Sequence, residues 1–232
     1  MSVLLEVAVR HARDVPGARE GGADRLLLDD DGRSPEPNLV RDVCRESDLP
    51  VRVVLRLSDG WGTTGGEFAR LVGLGRDYLD RGAAGLCLGF LDADLEVDVE
   101  TTLALLESLP GVPWTFPRAV DDTLEPLRSW RRLVDLPGLD AVHSAGSPRG
   151  LSAGYEDLLA LVRDDPRVAA LVLPGGGLLA EHVPWLMRAG VRQFHLDLQA
   201  RPGASLKAYV DAALVRSFRL LLDDTAERLD RV

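Results

Sequence analysis

The residues able to do chemistry in this chain stand at or near the ends of short apolar runs. Glu6 lies in the first run and Arg10 directly follows it, Asp29 follows the second, and Arg56 closes the third. Arg118 ends the fifth, His143 lies in the sixth, and His195 and Asp197 lie in the eighth. Arginines so placed can grip a carboxylate or a phosphate through paired N–H donors. Glu6 or His195 can move a proton beside them. After Leu173-Pro174 come Gly175, Gly176 and Gly177 and then a helix-like segment. Glycines there can aim several backbone N–H groups at an anion. A carboxylate at Asp197 would repel that anion, and Arg201 offsets it. The turn is not a dinucleotide fingerprint, which needs GxGxxG and an acidic residue about 20 positions on. His143, His195 and Asp197 also make a candidate copper or zinc set, since imidazole suits both ions. Cys87 reads as a small buried apolar residue. His11 and His182 read as surface residues.

These positions require strands whose ends converge. The apolar runs cover residues 3–9, 25–28, 51–57, 85–89, 113–118, 141–144, 169–173 and 192–198. Most are short and rich in Val or Leu, as parallel strands covered on both faces are. Helical patterns lie between them, at residues 12–21, 38–46, 65–81, 98–109, 123–134, 152–163 and 179–189, with a last helix at 206–222. Asp98 and Ser152 are the expected caps of two of them, and Gly21-Gly22 ends the first. Eight such units predict a single (β/α)8 TIM-like barrel as one domain over residues 1–232, the barrel filling about 3–222 and a C-terminal segment running to 232. Side chains alternate across a strand. Leu5, Val7 and Val9 therefore oppose Glu6, Ala8 and Arg10, and Val51, Val53 and Leu55 oppose Arg52, Val54 and Arg56. The polar sets should face the barrel interior and its C-terminal mouth, where a charge must find a partner or water. Glu6 and Arg52 are the expected deep pair.

Composition narrows the function. Hydrophobic residues are 46% and charged residues 28% of the 232, an ordinary balance for a soluble globular chain. Aromatics are 5%, so the core must be built mostly of Leu, Val and Ala. Net charge is −10, which argues against holding nucleic acid through its phosphates or docking on anionic membranes. Cys44 and Cys87 form no CxxC pattern, which disfavours a disulfide framework or zinc cluster. The start lacks a basic, apolar leader, and no run reaches the roughly 18 apolar residues of a membrane helix. The expected location is the cytoplasm.

Several short phrases, read in order, carry a resemblance. They are Leu5-Glu6-Val7, Gly21-Gly22-Ala23-Asp24-Arg25, Arg56, Val97-Asp98, Thr115-Phe116 with Arg118-Ala119 and Asp121, Ser144 with Gly146, Pro174-Gly175-Gly176-Gly177, and Phe194-His195. In this order and spacing, from Leu5 to about Asp197, the chain resembles the CutC family, named as copper-homeostasis proteins. The resemblance implies a (β/α)8 barrel, a cytoplasmic location, a homodimer and a link to copper. The family pattern has cysteine where this chain has Ala8, glutamate and cysteine where Leu27 and Asp29 stand, and histidine in the places of Arg52 and Pro117. His143 stands for a small hydroxyl residue and Ala145 for a glycine. Lost sulfur ligands remove the chemical reason to expect copper(I). Two functions follow: a copper-associated protein, as the resemblance implies, or an enzyme for a small anionic metabolite. In the second, Arg56 and Arg118 hold the anion within a cluster that includes Arg10, Asp29 and Asp197, the three glycines donate N–H groups, and Glu6 or His195 moves a proton.

Overall fold

Short Val- and Leu-rich runs become strands because helices cover one face and the barrel interior fills the other. The structure is a computed structural model, and it describes residues 3–231. The strands are β1 (Leu4–Val9), β2 (Arg25–Leu28), β3 (Val51–Val54), β4 (Gly85–Cys87), β5 (Trp114–Phe116), β6 (Leu139–Ser144), β7 (Val172–Pro174) and β8 (Gln193–Leu196). They form one parallel sheet in the order β7-β6-β5-β4-β3-β2-β1-β8. β7 lies beside β8, so the sheet curls into a nearly closed (β/α)8 barrel. Register sets the interior: Glu6 stands opposite Arg25 on one side and His195 on the other. Leu27, Val54 and Cys87 form a small apolar cluster of their own, apart from the main core that holds Leu5, Val7, Leu26 and Val53. The expected alternation is therefore real, with one set under the helices and the other inside the ring.

The helices are α1 (Asp14–Gly21), α2 (Pro37–Glu46), α3 (Gly65–Asp80), α4 (Val99–Glu107), α5 (Pro126–Leu133), α6 (Leu151–Asp164), α7 (Pro166–Leu171), α8 (Val183–Arg188) and α9 (Ala212–Asp230). Asp98 caps α4 as expected, its carboxylate accepting from the Thr101 N–H. Four expectations need correction. Residues 169–171 end a helix instead of opening β7, because Asp165 caps it and Pro166 takes its first turn. Ser152 lies inside α6, whose cap is Gly150; the Leu151 N–H is already bonded to the Gly176 carbonyl at 2.9 Å. Pro184 follows a 3-10 turn at Ala180–His182, so residues 179–189 are not one helix. The last helix begins at Ala212 and not near residue 206, because the Asp211 side chain accepts the Ala213 and Leu214 N–H groups.

The residues before α9 are held by an ion pair. Arg201 and Asp14 are both sealed from solvent and meet at 2.9 Å and 3.1 Å. Asp14 also accepts the backbone N–H groups of Arg10 at 2.8 Å and Val210 at 3.0 Å. Arg201 donates to the Ala208 carbonyl at 2.7 Å. One pair thus ties the end of β1, the start of α1 and the segment after β8. The expectation that Arg201 offsets the Asp197 charge at the glycine turn is overturned, since Asp14 and main-chain oxygens hold its guanidinium. Asp14→Ala would leave that guanidinium buried without its carboxylate, and we expect a loss of about 3–5 kcal/mol. Urea unfolding measures it; a loss under about 1 kcal/mol would show the clamp to be dispensable.

Candidate functional site

The strand ends surround a cavity of about 260 Å³, lined by Asp29, Arg56, Trp61, Cys87, Arg118 and His143 among others. Its floor is built on one carboxylate. Glu6 is fully buried. Its Oε2 accepts from Arg25 Nε at 2.6 Å, and its Oε1 accepts from His143 Nε2 at 2.7 Å and His195 Nδ1 at 2.9 Å. Burial pushes the Glu6 pKa up, but Arg25 and the two histidines outweigh it and hold the group well below the usual carboxylate range. Burial pushes the His143 pKa down to about 4, against the pull of Glu6. His143 is thus neutral near pH 7. With its Nε2–H spent on Glu6, the Nδ1 lone pair remains to take a proton; this tautomer is assigned from the hydrogen bond.

One wall is Arg56. Its guanidinium lies over the Trp61 ring, 4.2 Å from the centroid, and among the described residues its buried Nε has no acceptor. Trp61 is itself held, its indole N–H bonded to Asp122 and its carbonyl accepting the Leu91 N–H at 3.0 Å. Beside it Arg10 spans two acids, Asp29 at 3.3 Å and Asp197 at 3.5 Å. The opposite edge is Arg118, which donates from Nε to Asp121 at 2.9 Å and from Nη2 to the Ser147 carbonyl at 3.0 Å. Asp121 in turn accepts from Ser144 Oγ at 2.6 Å and the Ala145 N–H at 2.9 Å. Burial pushes the Asp121 pKa up, with those donors pulling it back. The glycine turn adjoins Arg118: a Cβ on Gly176 would stand 2.7 Å from Arg118 Nη1.

The structure brings Glu6, Arg56, Arg118, His143 and His195 together, and it changes several expected partners. Glu6 does not pair with Arg52; it pairs with Arg25, one strand over in register. Arg52 instead reaches Asp140 and Thr115, toward the start of β6. Glu6 replaces Asp197 in the histidine group, because Asp197 turns to Arg10. Gly175 spends its N–H on the Ser144 carbonyl at 3.1 Å, so it does not share the role expected of Gly176 and Gly177. His182 is buried, accepting the Leu179 N–H at 3.1 Å and stacking on Tyr155, and is not a surface residue. Cys87 is buried as expected, and burial pushes its thiol up to about 12. Sequence reasoning missed Arg25, Trp61 and Asp121 as parts of the site. Arg25 carried a signal, since it faces inward at the start of a strand; Trp61 comes from a loop and carried none. A larger hollow of about 520 Å³ between α5 and α6 reaches Asp121 and Ser144 from behind, but it is lined mainly by apolar side chains such as Leu127, Trp130 and Leu161 and holds no arginine or histidine.

Comparison with known proteins gives a consistent picture. A family model described as the CutC family matches residues 3–200. A CutC family protein of Klebsiella pneumoniae (strain 342) is 28% identical, over 97% of this chain and 95% of that one. The crystal structure of CutC from Streptococcus agalactiae superposes with a TM-score of 0.73 at 21% identity, covering 83% of this chain and 97% of that one. Phosphoribosylanthranilate isomerase from Thermotoga maritima shares the fold at a TM-score of 0.62 and 12% identity, covering 95% and 98%. Among the described residues no helix is long and apolar enough to cross a membrane.

The buried imidazole makes stability depend on pH. Unfolded, His143 takes a proton near pH 6.5; folded, it refuses one until about 4. Acid therefore favours the unfolded chain across that window, and stability should fall by up to about 3 kcal/mol as pH drops through it. Urea midpoints at pH 7 and pH 4.5, with His143→Gln flattening the slope, measure this. An imidazole of His143 that titrates at 6.5 or above in the folded protein, followed by NMR, would refute it.

Proposed function

The chain belongs to the CutC family, and on that barrel we propose that it is an enzyme that binds a small anionic metabolite in the cavity at the strand ends and moves a proton on it through His143. Arg56 carries this reading. It lines the cavity, its buried Nε lacks an acceptor, and among the described residues no carboxylate forms an ion pair with it. Burial lowers its pKa, with Asp59 pulling the other way, yet a guanidinium stays protonated at neutral pH. A half-buried cation that lacks an ion-pair partner among the described residues gains when an anion arrives. The Trp61 ring holds the guanidinium in place and prepays its ordering.

His143 supplies the proton acceptor, with its Nε2–H fixed on Glu6. A base oriented by a third group is the arrangement that general acid–base chemistry needs. Glu6 itself has both oxygens occupied and no exposure, so it positions the imidazoles and does not touch the ligand. This moves the proton-transfer role expected of Glu6 to His143, with His195 as its companion on the same oxygen.

Copper, for which the family is named, is tested by the donors present. Among the described residues, Glu6, His143 and His195 are the one group of three whose ligand atoms lie within 4.8 Å of one another. It contains no sulfur, and the Cys87 thiol stays protonated. Copper(I) favours thiolate and thioether, so these residues do not fit it. Their N and O atoms already satisfy one another at 2.7 Å and 2.9 Å, with Arg25 adding positive charge 2.6 Å from the same carboxylate.

Thermal-shift screening with small carboxylates and phosphates should find a stabiliser. Arg56→Ala should cost its binding about 2–3 kcal/mol, and His143→Asn should leave it within a few-fold. A stabilisation that survives Arg56→Ala would defeat the assignment. Titration with copper(I) under reducing conditions should show no binding at micromolar metal; a tight stoichiometric site lost in His143→Ala would overturn the reading of the donors.

A further inference from the structure

We propose that the ligand has two anionic ends, a carboxylate held by Arg56 and a phosphate held by Arg118 with the backbone N–H groups of Gly176 and Gly177. The inference rests on reading the mouth as an anion site and names the class of compound that fits it. Arg118 Nε is engaged by Asp121 and Nη2 by the Ser147 and Pro148 carbonyls, which leaves Nη1 without an acceptor among the described residues. Nη1 is the atom lying against Gly176. Gly176 and Gly177 have φ of +68° and +104°, and among the described residues neither N–H finds an acceptor. Successive N–H groups in such a turn form a concave donor nest suited to a phosphate's three oxygens. A side chain at Gly176 would displace the guanidinium, so the bare Cα is what lets cation and nest share one spot. The nearest carboxylate on Arg118, Asp121, has both oxygens occupied by donors and does not compete.

The second end follows from spacing. Arg56 follows β3 and Arg118 follows β5, with β4 between them. Strands lie about 4.8 Å apart, so the two arginines leave the barrel wall about 10 Å apart and reach inward over one cavity. Arg56 lines the cavity with its guanidinium held flat on Trp61, and a planar guanidinium presents paired N–H groups that match a carboxylate. His143 stands on the floor of the same cavity, where the carbon chain joining the two ends would pass.

Calorimetry on the full chain with 3-phosphoglycerate, glycerate and glycerol 3-phosphate separates the ends. The two-ended probe should bind at least about tenfold more tightly than either one-ended probe. Arg118→Ala should reduce 3-phosphoglycerate to the affinity of glycerate and leave glycerate unchanged; Arg56→Ala should reduce it to that of glycerol 3-phosphate. Inorganic phosphate should shift the amide resonances of Gly176 and Gly177 in the unaltered protein, a readout independent of any variant's folding. Equal affinity for glycerate and 3-phosphoglycerate, or phosphate that leaves both amides unmoved, overturns the second subsite while leaving an Arg56-dependent anion site intact. Phosphate that shifts both amides while Arg56→Ala changes no affinity overturns the Arg56 anchor instead. No binding by any probe, with both amides unmoved, overturns the two together.

Discussion

A carboxylate inside a barrel must have its lone pairs filled, or the barrel will not tolerate it. Glu6 meets that requirement with Arg25 on the neighbouring strand β2, His195 on its other neighbour β8, and His143 on β6, which is not a neighbour at all. The Glu6–His143 bond therefore crosses the ring. It fixes which ring nitrogen of His143 is protonated and brings the two imidazoles to a centroid separation of 4.6 Å. Remove the carboxylate and two histidines and an arginine lose the group that orients them. The chemistry proposed at the mouth depends on this deep, inaccessible residue more than on any exposed one.

The rest of the interior serves the same end by closing what must not be open. Arg52, bound to Asp140 and Thr115, occupies the ring toward the start of β6. Leu27, Val54 and Cys87 fill part of the middle with apolar volume. Water and ligand are left with the strand ends, where the loops supply Trp61, Asp29 and the glycine turn. Charge is divided there. Arg10 faces two acids, Asp29 and Asp197, Arg118 is paired with Asp121, and among the described residues Arg56 has no ion pair. The three arginines and three aspartates cancel in sum, so the positive end of the cavity is local: Arg56, beside the neutral imidazole of His143, is where an incoming anion is favoured and a metal cation is not.

The fold was legible because it is written in periodicity. Short Val- and Leu-rich runs separated by helical patterns imply a parallel barrel, and strict alternation puts Glu6, Arg52, Arg56 and His195 on the inner side. Boundaries failed where a local device overrode the pattern: Asp165 with Pro166 began a helix inside an expected strand, and Asp211 delayed the last helix. The site was half legible. Alternation tells which face a residue takes, but not its height in the ring, because height depends on strand register and tilt. The expected Glu6–Arg52 pair failed for that reason, since β1 registers Glu6 against Arg25.

The sequence by itself determined the kind of barrel, the inward direction of its ionic residues and the scarcity of sulfur ligands, two cysteines and two methionines in 232 residues. Those properties follow from residue types and from a period of two, which are local. Only the tertiary structure decided the partners: that His143 shares an oxygen with His195, that Asp14 takes Arg201 away from the mouth, and that Arg118 lies on the bare Cα of Gly176. Partnership between residues scores of positions apart is fixed by how eight strands stagger as they close, and no local pattern records that stagger.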